Sequence, residues 1–320
     1  MLFYVVAHLN YAVNSWPNSI FDANFCNCDG KISTTHMAPR TYNGMADLQV
    51  NVKDLMAGGP IILPHNHQII LDFIWDNNHL TPWKGSEYNL MYPDVRDPSG
   101  GEATYILRTF TGYKEKGTFI ECRAFNGETG SKTLYMERKL GWKGLLIEPD
   151  PQKYEQLLSR GRNAWISNVC LGTKPYPYRA YIENGTILGD IHDYDTMFYE
   201  GEHVKVVQCM PIYSLIAAVN LYDVDYFALN WNGNELSVLR TIPFHKIKFQ
   251  VISVPGRKDK DEENALIKFM DSQGYSPAPN KRYWRTAALP DLIFVEKIDP
   301  YFFYQFVDDR KQIHRNNRTV

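Results

Sequence analysis

Residues 118–150 read TFIECRAFNGETGSKTLYMERKLGWKGLLIEPD, and this stretch decides the fold. Two short apolar runs, 118–122 and 144–148, have the length and composition of buried parallel strands. A polar, glycine-containing loop lies between them, followed by residues 132–140, whose apolar side chains recur at helical spacing. Gly141 is suited to end that helix, because glycine readily adopts the left-handed conformation of a C-terminal cap. The pattern therefore predicts a strand–loop–helix–strand unit.

The same alternation continues along the chain. Predicted strands are 118–122, 144–148, 165–169, 225–230, 248–254 and 291–296, and predicted helices are 132–140, 151–160, 211–219, 234–240 and 261–273. Strands that alternate with helices indicate an α/β protein with a mostly parallel sheet. We expect the last strand to be antiparallel, and residues 172–210 to be an insertion that includes one or two hairpins.

This alternation divides the chain into three parts. We predict a doubly wound, Rossmann-like α/β domain in residues 101–299. Residues 1–100 form an N-terminal extension that serves as an assembly or packing arm, and residues 300–320 form a C-terminal aromatic and polar tail.

Composition excludes several classes of protein. The 320 residues carry a net charge of −2, which creates no strong field toward nucleic acid or an anionic membrane. The sequence has no apolar run of 18 residues, so it predicts no transmembrane helix, and the apolar start lacks the basic leader of a signal peptide. We therefore expect an intracellular protein, cytoplasmic or nuclear, without nucleic-acid or membrane partners.

Polar residues follow the predicted strands at the edge of the sheet where α/β proteins bind ligands. A nucleoside site needs a glycine at the first turn, which lets the ligand approach the backbone. It also needs an acid at the end of the second strand, which accepts hydrogen bonds from ribose hydroxyls. Glu148 meets the second requirement, whereas Arg123 occupies the first turn.

Several segments, in this order, resemble the FkbM family of S-adenosylmethionine-dependent methyltransferases, in the form found in arthropod Star-like proteins. They include GTFIECRAFNGET (117–129), LYMERKLGWKGLLIEPDPQKYEQLLSRGRNAW (134–165), VDYFALNWNGNELSVLRTIPF (224–244) and DLIFVEK (291–297). The resemblance runs from about Asn89 to Lys297. It implies a methyltransferase fold, S-adenosylmethionine as cofactor and O-methylation of a sugar or small molecule.

The chain departs from the family pattern at the cofactor positions. The first loop of the family follows acid-x-Gly-Ala-x-Asp-Gly, and here Arg123 replaces the glycine and Asn126 the aspartate. Asn230 and Asn232 replace the two leading acids of S-L-D-x-E-G-A-E, and Pro255 replaces a glutamate after the next strand. Three expected acids are kept: Glu121, Glu148 and Glu235.

These departures predict a degenerate cofactor site, made of Glu121, Arg123, Asn126, Glu148, Asn230 and Asn232. Arg123 brings bulk and a fixed positive charge to the place of a sulfonium cation, and we expect it to project into the cofactor's space or to pair with Glu121 or Glu148. The leading hypothesis is a non-catalytic, self-assembling structural protein that binds no cofactor and forms lattices, as viral occlusion-body proteins do. The alternatives are an active S-adenosylmethionine-dependent O-methyltransferase and a regulatory module that binds another ligand in the old cleft.

The cysteines and the chain ends bear on assembly. Cys26 and Cys28 are too few to form a zinc site. They are either free or buried cysteines, or they form a disulfide between copies, since the chain has five cysteines. The other three are expected to be buried thiols: Cys122, Cys170 and Cys209. Aromatic clusters in residues 1–87 and 300–320 predict contacts between copies. His65 and His67 are expected to be packing or surface histidines.

Overall fold

The computed structural model describes residues 52–58, 63–85, 87–183, 186–190, 204–231, 233–278 and 291–297. The helices are α1 (Val52–Met56), α2 (Gln68–Asp76), α3 (Glu102–Ile106, continued by a π-helical turn at Leu107–Thr111), α4 (Leu134–Leu140), α5 (Pro151–Leu158), α6 (Ile212–Val219), α7 (Glu235–Arg240) and α8 (Lys260–Ser272). The strands are β1 (Leu80–Thr81), β2 (Thr118–Cys122), β3 (Lys143–Ile147), β4 (Ala164–Ser167), β5 (Cys170–Leu171), β6 (Tyr178–Glu183), β7 (Thr186–Asp190), β8 (Val204–Met210), β9 (Asp223–Ala228), β10 (Lys248–Val254), β11 (Tyr275–Pro277) and β12 (Leu292–Glu296).

The main sheet has the order β1-β4-β3-β2-β9-β10-β12-β11. Strands β4, β3, β2, β9 and β10 are parallel, whereas β1 pairs antiparallel with β4 at one edge. Strand β12 is antiparallel to both β10 and β11, as expected for the last strand. The chain winds outward from β2 in one direction and from β9 in the other, so the predicted doubly wound α/β fold is confirmed.

Local sequence explains how the β2–β3 unit forms. Gly144 pairs with Phe119 in the parallel register, and a Cβ on Gly144 would collide with the Phe119 carbonyl group. Helix α5 begins after Asp150, whose Oδ1 accepts hydrogen bonds from the backbone N–H groups of Gln152 (2.9 Å) and Lys153 (3.2 Å). Pro151 follows as the first helical residue, where its missing N–H is not needed.

The sheet is covered on both faces. Side chains of one face, such as Phe227 and Ile252, join a core with α2, α6, α7 and α8. Side chains of the other face, such as Phe119 and Tyr226, join a second core with α3, α4 and α5. Helix α2 and strand β1 therefore pack on their own domain, and contacts between copies stay a prediction. Residues 1–51 and 298–320, including Cys26, Cys28 and the aromatic clusters of both ends, lie outside the described residues.

A segment without regular secondary structure, the strap (residues 87–96), crosses α4 and α5. The buried Glu128 carboxylate holds it, accepting hydrogen bonds from the backbone N–H groups of Met91 (Oε2, 2.7 Å) and Tyr92 (Oε1, 2.5 Å). Arg138 donates to the carbonyl groups of Pro93 (3.0 Å) and Val95 (3.4 Å). The strap leaves apolar side chains in solvent, since Met91 is 58% and Tyr92 57% exposed.

The predicted insertion forms a second sheet with the order β5-β8-β6-β7, in which β6 and β7 make the expected hairpin. Cys170 and Cys209 face each other across the parallel β5–β8 pair and form a disulfide. The prediction of buried thiols is therefore wrong for these two residues, although both are buried, and it holds for Cys122. Among the described helices, none has the length and apolar character needed to cross a membrane.

Candidate functional site

The candidate site lies where the winding of the main sheet reverses, between β2 and β9. Glu121 pairs with Ala228 in the parallel register, so the carboxyl ends of the two strands are neighbours. Open α/β sheets bind ligands in the crevice at such a switch point. The loop after β2, residues 123–127, is called the first loop, and the loop after β9, residues 229–234, is called the β9 loop. Both lie at this switch point.

The first loop keeps a backbone that glycine would adopt more easily. Arg123 has a φ of 59°, Phe125 of 53° and Gly127 of 78°. A left-handed conformation costs a residue with a Cβ about 1–2 kcal/mol relative to the ordinary regions. Arg123, at the position where the family pattern has glycine, thus adopts a backbone conformation that favours glycine.

Glu148, at the end of β3, is enclosed by backbone N–H groups. Its Oε2 accepts from Phe125 (2.8 Å) and its Oε1 from Asp150 (2.9 Å), and the residue is 2% exposed. Burial raises the pKa of the Glu148 carboxyl to about 7, against the opposing effect of these two hydrogen bonds and of the Arg123 positive charge. The first loop therefore lies directly on the acid that a ribose would need to reach.

Glu121 serves the loop that leads into α4. Its Oε2 accepts from Ser131 Oγ (2.9 Å) and from the Thr133 hydroxyl, and its Oε1 accepts from the backbone N–H of Lys132 (2.9 Å). It is 4% exposed. Glu121 therefore has a structural role in this conformation. The positive charge of Arg123 lowers the pKa values of Glu148 and Cys122, against the larger effect of burial.

Arg162 fixes the same loop from the other side and is fully buried. Its Nε donates to Glu137 Oε2 (2.9 Å), and Nη1 donates to the Gly127 carbonyl oxygen (2.5 Å). Nη2 donates to Thr133 Oγ1 (3.0 Å). The other Glu137 oxygen accepts from the backbone N–H of Asn163 (2.7 Å). This buried ion pair joins the entry of β4 to helix α4 and to the first loop.

Asn126 shapes the first loop through its own amide group. Its Oδ1 accepts from the backbone N–H groups of Glu128 (3.1 Å) and Thr129 (2.8 Å), and its Nδ2 donates to Thr129 Oγ1 (3.1 Å). An aspartate could accept the same two bonds but could not donate the third. Asn126 is buried and forms a turn within the loop.

Glu235, whose side chain is fully buried, holds the β9 loop through hydrogen bonds to its backbone. Its Oε1 accepts from the backbone N–H of Trp231 (2.7 Å), and its Oε2 accepts from that of Gly233 (3.0 Å) and pairs with Arg257. Asn230 is half-buried at the end of β9. Asn232, predicted as a site residue, lies outside the described residues.

Arg257 belongs to the site, although the run from Arg257 to Glu263 has the sequence of a solvated loop that leads into a helix. The helix start is confirmed, because Asp259 Oδ1 accepts the backbone N–H groups of Asp261 (2.7 Å) and Glu262 (3.4 Å). The Arg257 side chain is only 13% exposed, however, and it forms an ion pair with Glu235.

Sequence analysis also missed a buried polar network beside the crevice. Lys132 lies between Glu102 (Nζ to Oε2, 3.3 Å) and Asp291, with which it forms an ion pair. Tyr226 donates its hydroxyl to Glu102 Oε1 (2.6 Å) and lies 2.8 Å from Ser253 Oγ. Burial raises the pKa of Glu102, and the Lys132 charge opposes that rise. These residues come from five separate segments, so no local pattern could have predicted the network.

His67 is the N-terminal cap of α2, and His65 lies two residues before it. Within the described ranges no group of three or more His, Cys, Asp or Glu side chains could hold a metal ion. His67 caps α2, where its Nδ1 accepts from the backbone N–H of Ile69 (3.3 Å). Burial lowers the pKa values of both His65 and His67. This arrangement agrees with the prediction of packing histidines.

The strand order and the position of the crevice define a Rossmann-like methyltransferase fold. The sequence model of the methyltransferase FkbM domain matches residues 121–277, and this part of the chain belongs to that family. No curated protein matches the chain.

The chain is similar, at low sequence identity, to several solved methyltransferase structures. A methyltransferase from Pyrococcus furiosus is 13% identical, with 62% of this chain and 83% of that chain covered and a TM-score of 0.36. A putative rRNA-methylase from Clostridium thermocellum is 12% identical, with coverages of 64% and 98% and a TM-score of 0.36. The plantazolicin methyltransferase BpumL is 9% identical, with coverages of 71% and 89% and a TM-score of 0.35.

Proposed function

We propose that this protein is a non-catalytic member of the FkbM family, whose crevice no longer takes S-adenosylmethionine and whose role is structural, through association with further copies of itself. The observation that carries the proposal is the first loop, in which Arg123 stands in a glycine conformation while the backbone of Phe125 lies against Glu148. The residues present do not fit the cofactor, for reasons of charge and of access.

Charge opposes a sulfonium ion. Relative to the family pattern, four acids are replaced by neutral residues and one glycine by arginine. The charge of the site becomes more positive by five units, through changes at Arg123, Asn126, Asn230, Asn232 and Pro255. A guanidinium roughly 5 Å from a sulfonium costs about 3 kcal/mol at an effective dielectric constant of about 20. This repulsion alone corresponds to a loss of about two orders of magnitude in affinity.

Access opposes the ribose. Both Glu148 oxygens already accept backbone N–H groups, and the residue is almost completely buried. A ribose diol could reach this carboxylate only if the first loop moved away. That movement would leave the N–H groups of Phe125 and Asp150 without their acceptor, and an unsatisfied buried donor costs about 1–3 kcal/mol.

The alternative is an active S-adenosylmethionine-dependent O-methyltransferase. One observation favours it: Glu148 and Glu235 are kept at the crevice, and the pKa of Glu148, near 7, is suited to a group that accepts a proton at neutral pH. In the present conformation, however, the oxygens of both acids are engaged by the protein's own loops.

Calorimetric titration with S-adenosylmethionine and S-adenosylhomocysteine tests the cofactor part. We expect no binding at micromolar concentration, and micromolar binding would refute the proposal. The double variant Arg123→Gly/Asn126→Asp should restore measurable binding. Asn126→Asp alone is the matched control, because it returns an acid but leaves the Arg123 side chain in place.

Light scattering of the full-length chain across a concentration series tests the assembly part. We expect a mass above that of the monomer, supported by the exposed apolar side chains of the strap and by the aromatic clusters at both chain ends. Cys26→Ser/Cys28→Ser should lower the mass measured without reductant, if these cysteines link copies. A monomer at every concentration would contradict self-association.

A further inference from the structure

We propose that a groove at the amino ends of β9 and β10 binds an organic anion, in which a phosphate or carboxylate group is attached to a flat apolar body. This amino-edge groove is an opening of about 510 Å³, lined by Tyr222, by residues 244–248 and 273–275, and by Glu296 and Lys297. The crevice at the switch point lies at the opposite, carboxyl ends of the same strands, so the inference is independent of the proposed function.

The ends of four strands and the turn after α8 form the groove. Tyr222 precedes β9, Lys248 begins β10, and the antiparallel pairing of β11 with β12 places Tyr275 opposite Glu296. A Cβ built on Gly274 would meet no heavy atom of the described residues within 4 Å, so this part of the wall faces open space. The volume falls within the range of roughly 300–1,000 Å³ that small-molecule sites occupy.

The groove carries more basic than acidic side chains. Lys246, Lys248 and Lys297 line it, whereas Glu296 is the one acid among these described lining residues. Lys297 is engaged, because its Nζ lies 2.7 Å from Asp271 Oδ1. An excess of positive charge remains even when Asp271 is counted. In a chain whose net charge is −2, such a local excess attracts anions to this edge of the sheet.

Two of these lysines are available to a ligand. Lys246 and Lys248 are both exposed, and neither forms an ion pair in the described part of the chain. Lys246 Nζ lies 5.7 Å from the centre of the Tyr213 ring, a contact that uses none of its three N–H donors. Asp223 is the partner of Lys248 in the parallel register, but it does not line the groove. An ammonium group is a compact point charge that binds phosphate and carboxylate groups alike.

Aromatic rings supply the apolar part of the groove. Phe244 and Tyr275 lie with their ring centroids 5.6 Å apart, and the Tyr275 hydroxyl already donates to the Phe249 carbonyl oxygen (3.0 Å). The half-buried Tyr222 adds a third ring to the lining. Aromatic side chains bury large apolar areas and prefer stacked or edge-on contacts with other rings. A ligand that combines a flat apolar body with an anionic group therefore uses both the rings and the lysines.

Calorimetric titration of the full-length protein with naphthyl phosphate and with naphthoate tests the inference, at an ionic strength held constant with sodium chloride. We expect saturable binding of at least one of these probes, and the tighter of the two identifies the anionic group. Naphthyl methanol has the ring without the charge, and inorganic phosphate has the charge without the ring. Each of these two should bind about tenfold more weakly or worse.

Variants locate the binding in the groove. Lys246→Gln/Lys248→Gln should weaken binding of the naphthyl anion about tenfold, because it removes two ion-pairing groups. Lys258→Gln/Lys268→Gln makes the same charge change at two exposed lysines outside the groove and should have no effect. Glu296→Gln should tighten binding about threefold, because it removes the acid from the lining. Such a gain cannot arise from a variant that folds poorly.

Three outcomes would overturn the inference: no saturable binding of either naphthyl anion, equally tight binding of naphthyl methanol, or unchanged binding in the Lys246→Gln/Lys248→Gln variant. Failure of Glu296→Gln to tighten the binding would equally remove the groove as its location. None of these results bears on the proposed function, which only cofactor binding or a persistent monomer refutes.

Discussion

The buried pair of Arg162 and Glu137 gives the sharpest test of how the first loop is held. Both side chains are fully buried. Breaking such a pair by removing one partner costs about 3–5 kcal/mol, because the other charge stays buried and uncompensated. We therefore expect Arg162→Met and Glu137→Met each to lower the free energy of unfolding by about that amount.

The double variant should cost far less than the sum of the single changes. It removes both charges. The Ser131 and Thr133 hydroxyls lose a donor but keep their hydrogen bonds to Glu121, so two neutral groups are left without their partners, the Gly127 carbonyl oxygen and the Asn163 N–H. At about 1–3 kcal/mol for each such group, the double variant should lose about 2–6 kcal/mol, whereas the two single changes sum to about 6–10 kcal/mol. The expected coupling energy is thus about 4 kcal/mol in favour of the pair.

Urea unfolding of the parent, both single variants and the double variant measures this coupling. Arg240→Met, at an exposed position of α7, is the matched control and should change stability by less than about 0.5 kcal/mol. If the two single effects add to within about 0.5 kcal/mol, the pair is not coupled and the reasoning is refuted.

Three further predictions concern the backbone, pH and the strap. Lys116→Gly should stabilise the fold by about 1 kcal/mol, because the exposed Lys116 has a φ of 53°, which favours glycine. Lys139→Gly should destabilise the fold by a similar amount in thermal unfolding, because Lys139 lies within α4 and glycine disfavours a helix. Because the pKa of Glu148 is raised from 4.5 to about 7, the folded state binds more protons, so stability should fall by about 3 kcal/mol as pH rises from about 4.5 to 7. Glu148→Gln should flatten this part of a urea-unfolding pH series, and an unchanged slope would contradict the assignment. Glu128→Gln replaces one of the two carboxylate oxygens that accept the N–H groups of Met91 and Tyr92, so the backbone amides of the strap should exchange hydrogen faster than in the parent. Equal exchange in parent and variant would show that Glu128 does not hold the strap.

The sequence predicts the framework of the fold well, because buried parallel strands are continuous apolar runs. The strand 248–254 and the helix 261–273 lie within one residue of β10 and α8. Helix α2 was missed, since its QIILDFIWD sequence is an apolar run of a length that strands and helices share. Strand β11 has three residues, one of them proline, and gives no pattern at all.

The candidate site was predictable in position but not in its bonding. Placing Glu121 and Glu148 at the carboxyl ends of strands follows from the alternation of elements. Which groups their oxygens bind depends on the fold of loops, which periodicity does not encode. Arg257 shows the limit most clearly, because it stands in a run of charged residues and yet pairs with a fully buried acid some twenty positions away.

The two ends of the main sheet constrain how copies of this chain can meet. One end is β1, with two residues, and the other is β11, with three residues that finish in Pro277. Very short terminal strands and proline are the features by which sheets resist continuation into a neighbouring molecule. In the described part of the chain, the edges of the main sheet therefore disfavour a hydrogen-bonded sheet that continues from one copy to the next. If copies form an array, we expect each molecule to stay separately folded, so that the array can dissociate without unfolding its members.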